Sequence, residues 1–160
     1  MTNPTALRRS FMTTRTFDGT PTEVFPLLCP VREYDWIPEW SCSMIFSDSG
    51  IAEHGCIFTT GSAETEETWV TTSYAPPTSI EYTRYRHDLW VAMLAITLEP
   101  SRAAQTSARV TLTITALTPA GTSALERVDP LDHERVWTRL EADANHYLRT
   151  GTIATRTVAP

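Results

Sequence analysis

Residues 108–117, ARVTLTITAL, and residues 129–151, DPLDHERVWTRLEADANHYLRTG, decide the fold of this chain, because the hydrophobic period changes between them. In the first stretch Val110, Leu112 and Ile114 alternate with threonines, a period of two that indicates a strand with one buried face. The second stretch carries an apolar stripe at helical spacing, made of Val136, Trp137, Leu140, Ala144, Tyr147 and Leu148. The sequence therefore predicts a strand followed by a long C-terminal helix.

Upstream of this pair, the chain is rich in predicted strands. Their composition and turn signals place them at 9–17, 42–47, 56–60, 69–74, 80–86 and 90–98. The strand at 90–98 is apolar on both faces, which indicates a central strand or one whose outer face meets another surface.

Helix-start signals occur at three places. Thr20, Pro21 and Glu23 form a capping box and predict a short helix that Pro26 ends. Ser123 with Glu126 suggests a second short helix, and Asp129-Pro130 are predicted to cap and begin the long one. The order strand, short helices, six strands, long helix is typical of an α+β domain with an antiparallel sheet.

Length and charge limit the function classes. The 160 residues suit one domain, predicted at 8–151, with flexible tails at 1–7 and 152–160. The net charge is −6, with 13 arginines and no lysine, which argues against nucleic acid and against an anionic membrane as partners. No apolar run is long enough for a membrane span, no export signal precedes the domain, and three widely spaced cysteines favour a reducing compartment. We therefore expect a cytoplasmic protein.

Motifs of catalysis and cofactor binding are missing from the sequence. It has no GxGxxG, no GxSxG and no phosphate-binding loop. His133-Glu134 begins an HExxH zinc motif, but position 137 is Trp; His54 and Cys56 have no third ligand nearby. We expect no metal and no cofactor, and the catalytic residues, if the protein has any, stay unknown.

Aromatic residues gather in residues 29–40, CPVREYDWIPEW, here called the connection, and in the strands that follow it. Each ring could be plain core or could line a gap between a curved sheet and the helix, and ligand sites are typically such apolar concavities with a few polar groups. Tyr82 and Arg84 share one strand face and could supply the polar groups, although Arg84 could equally point outward in a surface ion pair. The candidate ligand-binding residues are Tyr34, Trp36, Trp40, Phe58, Trp69, Tyr82, Arg84 and Trp137.

These residues carry a resemblance to a known superfamily. Residues 24–60, VFPLLCPVREYDWIPEWSCSMIFSDSGIAEHGCIFTT, resemble the SRPBCC (START-like, Bet v 1-like) helix-grip proteins, and within them a bacterial subgroup with a CPVxEYDWIPGW element and no assigned role. IEYTRYR (80–86), VTLTITALT (110–118) and NHYLRTG (145–151) are similar to the same subgroup. Glu39 departs from the pattern, which has glycine there, so a different local turn or cavity mouth is expected.

The resemblance implies a strand, two helices, six strands and a long helix gripped by the sheet, with a cavity between sheet and helix. For function it implies a small apolar ligand, carried or sensed. Two alternatives stay open, since fold alone does not decide among these. One is an enzyme resembling polyketide cyclases or dehydratases, for which Tyr82, Arg84 or His133 could supply the polar group. The other is a chaperone-interacting module resembling the Hsp90 ATPase activators. The sequence also leaves a homodimer open.

Overall fold

The computed structural model describes residues 5–156, which form one antiparallel sheet and a set of helices. The strands are β1 (Arg8–Phe17), β2 (Cys42–Phe46), β3 (Ile57–Thr60), β4 (Glu67–Ala75), β5 (Ser79–Arg86), β6 (Trp90–Pro100) and β7 (Thr106–Ala116). The α-helices are α1 (Pro21–Val24), α2 (Pro119–Glu126) and α3 (Asp132–Thr150), and two 3₁₀ helices cover Phe25–Leu28 and Arg32–Asp35. The predicted α+β order is confirmed.

The seven strands pair in the order β1-β7-β6-β5-β4-β3-β2, so the first strand closes onto the last. The register aligns inward side chains in rows: Tyr82 lies opposite Leu94, Leu94 opposite Leu112, and Leu112 opposite Phe11. Register shifts mark irregularities in β2 and β4, features that bend a sheet. The internal position predicted for strand 90–98 is confirmed, since β6 lies between β5 and β7.

Helix α3 packs into the core through Trp137 and Ala144, and polar contacts also hold it along β1. Arg15 on β1 contacts Glu134 and lies 3.6 Å from Glu141, while Arg149 pairs with Asp18 at 2.6 Å. Asn145 donates to the Thr16 carbonyl at 3.0 Å. The helix is therefore fixed along one side of the sheet.

Three details of the predicted helices differ in the structure. Helix α3 begins at Asp132 rather than Pro130, and the Asp129 carboxylate accepts the Leu131 N–H at 2.9 Å in the turn that leads into it. Helix α2 begins at Pro119, with the Thr118 hydroxyl accepting the Gly121 N–H. Val136 from the predicted apolar stripe is 43% exposed; the buried helix face contains His133, Trp137, Asp143 and Ala144.

Glu39 adopts a φ of 62°, in the left-handed region that favours glycine. A glycine adopts this conformation without steric cost, whereas other residues adopt it rarely. The turn is formed here by a glutamate whose side chain is exposed.

The described contacts extend beyond 8–151. The Leu7 carbonyl accepts the Ala116 N–H at 2.9 Å, and Arg156 pairs with Asp143 at 3.0 Å. The outermost parts of the predicted tails, 1–4 and 157–160, lie outside the described residues. Between residues 5 and 156, no helix combines the length and the apolar character that crossing a membrane requires.

Candidate ligand-binding cavity

Three ring donors fix the chain where α1 leads into the connection. The Trp36 indole N–H donates to the Leu27 carbonyl at 2.9 Å, the Tyr82 hydroxyl to the Leu28 carbonyl at 2.7 Å, and the Trp40 indole N–H to the Pro30 carbonyl at 2.8 Å. Buried carbonyls in irregular backbone need such partners. These three aromatic side chains thus donate hydrogen bonds to backbone carbonyls, while the apolar faces of their rings remain available to the interior.

The sheet supplies the opposite wall. Phe58 on β3 and Trp69 on β4 are paired in register and stack with ring centroids 5.6 Å apart, at an interplanar angle of 14°. The Tyr82 ring stands edge-on to both, at 5.9 Å and 5.8 Å. The Arg84 guanidinium lies 5.2 Å from the Trp69 ring centre, so the aromatic row ends in a cation.

A cavity of about 530 Å³ lies between this wall, the connection and α3. Its lining is predominantly aromatic and aliphatic, with the polar or charged residues Glu33, Tyr82, Arg84, Asp132, His133 and Arg139 among it. This volume falls within the roughly 300–1,000 Å³ typical of small-molecule sites.

Seven of the eight candidate residues border this cavity: Trp36, Trp40, Phe58, Trp69, Tyr82, Arg84 and Trp137. Whether they bind a ligand stays a prediction. Tyr34 is the exception, and its placement in the lining is corrected. Its side chain is 47% exposed, and its hydroxyl exchanges hydrogen bonds with the backbone of Cys42 at 3.0 Å, which turns the ring away from the interior.

Arg84 combines features of both sequence interpretations. It lies 3.4 Å from Glu67 in an ion pair, as the surface alternative supposed, yet it borders the cavity and its side chain is only 25% exposed. Its buried Nε has no hydrogen-bond partner among the described residues. Arg84 is therefore a cation already neutralised by Glu67.

Glu33 is a cavity residue that sequence reasoning missed. It lies in the 3₁₀ helix Arg32–Asp35, and no hydrogen bond or ion pair among the described residues involves its carboxyl group. Burial raises the pKa of this carboxyl from 4.5 to about 8. The side chain keeps intermediate accessibility, as expected of a group that faces a cavity. No signal in the sequence separates this glutamate from a surface acid.

His133, which the sequence offered as a polar group for the enzyme alternative, lies on the first turn of α3 and borders the cavity. Its Nε2 lies 3.4 Å from the Val110 carbonyl, and its ring is 6.3 Å from that of Phe11. Burial lowers the pKa of the imidazole. The hydrogen bond to Val110 raises it, but by less, so the pKa lies below its ordinary value. A neutral imidazole held in this way can donate or accept one hydrogen bond.

Metal-binding geometry is not found in the described part of the chain: no three His, Cys, Asp or Glu residues of 5–156 converge. Cys29 and Cys56 are buried and Cys42 is partly buried, and all three are free thiols.

Compared with protein-family models and with curated protein sequences, the chain matches none. Solved structures do match. Norcoclaurine synthase from Thalictrum flavum has a TM-score of 0.65 at 10% identity, covering 91% of this chain and 88% of its own. Ara h 8.0201 has a TM-score of 0.62 at 15% identity, covering 90% and 99%. An uncharacterised protein from Rhizobium leguminosarum has a TM-score of 0.63 at 12% identity, covering 91% and 97%.

At such low identities these likenesses concern the fold alone. They agree with a curved seven-stranded sheet around a C-terminal helix that encloses an apolar cavity. The chain therefore has the helix-grip, Bet v 1-like fold that its resemblance to the SRPBCC superfamily predicted.

Proposed function

We propose that this protein binds a small, predominantly apolar molecule in the cavity between sheet and α3, and carries or senses it. The observation behind the proposal is the volume of about 530 Å³ walled mainly by aromatic and aliphatic side chains. Transfer of apolar surface into such a site contributes roughly 25 cal/mol per Å² before ordering costs, which is compatible with micromolar binding.

The walls of the cavity are held independently of any ligand. The connection is fixed by ring donors to the carbonyls of Leu27, Leu28 and Pro30, and α3 is fixed along β1. Since preformed sites lose less entropy on binding, this arrangement favours a ligand-binding role over a cavity that merely results from loose packing.

The test is to fill the cavity and leave the rest of the protein unchanged. Leu94 lines the cavity on β6, whereas its neighbour Met93 lies on the opposite face and is 45% exposed. Leu94→Phe should place its extra atoms in the cavity and weaken binding by at least about tenfold, with a stability change below about 1 kcal/mol. Met93→Phe is the matched control and should bind as the unmodified protein does.

Binding is measured by tryptophan fluorescence with a panel of fatty acids, aromatic polyketides and sterols. Trp36, Trp40, Trp69 and Trp137 border the cavity and would respond to an occupant. Saturable quenching that Leu94→Phe weakens and Met93→Phe preserves supports the proposal. If no compound binds, or if both variants behave alike, the proposal is wrong.

A second candidate is an enzyme of the cyclase or dehydratase type, and Glu33 is the observation that favours it. A carboxyl with a pKa near 8, facing an apolar cavity, can exchange protons near neutral pH. Among the structural neighbours, a point mutant of norcoclaurine synthase is described in complex with a transition-state analogue. Turnover of a bound polyketide that Glu33→Gln abolishes would place this candidate first.

A cytoplasmic location and the absence of a nucleic-acid partner are parts of the same proposal. They rest on the free thiols and on the net charge of −6. The proposal also includes a homodimer, and light scattering, which measures the molar mass in solution, tests it.

A further inference from the structure

Building on the proposed binding function, we infer that the cavity selects apolar ligands that carry a protonated amine, with the Glu33 carboxylate as the counter-ion and the surrounding tryptophan rings as the cation-binding faces. This inference names the ligand class that the same cavity takes.

The first argument is the missing partner of Glu33. The other acid of the lining, Asp132, accepts from Arg135 at 2.8 Å, and Arg84 is paired with Glu67 at 3.4 Å. Glu33 has no such donor among the described residues, although an ionised carboxylate in apolar surroundings needs one. A cation delivered by the ligand would supply it.

The second argument is the composition of the walls. Trp36 and Trp40 follow Glu33 in the same connection, and Trp69 and Trp137 face the cavity from β4 and α3. Aromatic faces attract cations, most strongly those of Trp, and they attract anions poorly. Trp69 already shows this preference, since the Arg84 guanidinium stacks on it at 5.2 Å.

The third argument concerns the groups that face Glu33 from each neighbouring element. Tyr82 on β5 and Cys42 on β2 are close enough for the charge of Glu33 to act on them. Burial is the main cause that raises the pKa of both groups, and for Tyr82 the charge of Glu33 is the next cause. Cys29 accepts the Glu33 backbone N–H through its carbonyl, and Arg32 is occupied by Asp35 at 2.6 Å. From α3, Arg139 borders the cavity with an exposed side chain. None of these groups neutralises Glu33.

The test compares probes of one shape and different charge. The amine is 4-phenylbutylamine, the neutral isostere is 4-phenylbutan-1-ol, and the anion is 4-phenylbutyrate. By calorimetry near pH 8 we expect the amine to bind at least about tenfold more tightly than the alcohol, since hydrogen bonds to charged groups are the stronger ones. The anion should bind most weakly.

Two variants locate the effect. Glu33→Gln should abolish the preference for the amine and leave the affinity for the alcohol within about twofold, because only the charge is removed. Glu39→Gln is the matched control, since this glutamate lies in the same connection but has an exposed side chain outside the cavity lining, and it should keep the preference. Near pH 7 the amine should also release close to one proton per site, measurable as a dependence of the binding enthalpy on the buffer, because Glu33 must ionise to pair.

The outcomes separate the two proposals. If the alcohol binds as tightly as the amine, the ligand class is wrong and the apolar cavity function stands. If neither binds, the cavity function itself is overturned, and the inference with it. If Glu39→Gln removes the preference as strongly as Glu33→Gln, the assignment to Glu33 is wrong.

Discussion

Replacing Glu33 by Gln should change how the stability of the protein depends on pH. The folded protein holds the Glu33 proton up to a pKa of about 8, whereas the unfolded chain releases it near the ordinary value of 4.5. Between these two values the native state binds more protons than the unfolded state, so the free energy of unfolding falls as pH rises. Below this interval, the proton is bound in both states and Glu33 imposes no penalty.

The size of the effect follows from the same pKa values. Each pKa unit corresponds to about 1.4 kcal/mol, so the raised pKa of Glu33 is equivalent to at most about 5 kcal/mol above pH 8. Water in the cavity reduces this penalty by solvating the carboxylate, and we expect about 2–4 kcal/mol. Glu33→Gln should therefore exceed the stability of the unmodified protein by less than about 1 kcal/mol near pH 5 and by about 2–4 kcal/mol near pH 8.5.

The measurement is denaturant unfolding followed by circular dichroism at several pH values. Because other titrating groups contribute to both proteins, the difference between them isolates position 33. Glu39→Gln is the matched control: this glutamate lies in the same connection, but its side chain is exposed, so its variant should follow the unmodified protein. A stability difference between Glu33→Gln and the unmodified protein that stays constant from pH 5 to pH 8.5 would refute the reasoning.

Two further substitutions test how the walls are held. Tyr82→Phe removes the 2.7 Å donor to the Leu28 carbonyl and should cost about 1–3 kcal/mol in chemical denaturation, whereas Tyr85→Phe on the exposed face should change stability by less than about 0.5 kcal/mol. Equal effects of the two would contradict the assigned hydrogen bond. Gly121→Ala would bring a Cβ within 1.8 Å of the Leu89 carbonyl oxygen and should lower the free energy of unfolding by about 3 kcal/mol or more. An unchanged melting temperature would show that α2 moves freely against the loop before β6.

The sequence predicted the fold because its signals are local. The alternation in 110–116 and the helical stripe after it survive in β7 and α3, and proline and capping signals marked the short helix at Pro21–Val24. Helix starts were placed less accurately. Asp129 accepts the Leu131 N–H in the turn that leads into α3 and pairs with Arg135 at 2.7 Å, but the helix itself begins only at Asp132.

The candidate site could be predicted only in part. Its large aromatic residues stand out in the sequence, whereas its polar residues look like ordinary surface residues. Trp36 and Tyr82 are conspicuous in any sequence, yet their hydrogen bonds to successive carbonyls depend on the path of the connection over the sheet. Tyr34 has the same chemistry as its neighbours and points elsewhere, because its hydroxyl reaches the backbone of Cys42. Glu33 was indistinguishable from a surface acid, since what sets it apart is that its carboxyl group has no partner among residues 5–156.

The cavity persists because the two elements that could close it are fastened to other parts of the protein. Helix α3 is held to β1 through Arg15 and Asp18, on one side of the sheet. The connection is held by ring donors that point at its own backbone carbonyls. The connection cannot approach the middle strands without breaking buried or partly buried hydrogen bonds, each of which costs about 1–3 kcal/mol to lose. Helix α3 cannot do so without breaking its polar contacts with β1. Apolar residues such as Leu94 and Leu112 therefore stay uncovered on the concave face, where a ligand can complete the packing that the chain itself leaves open.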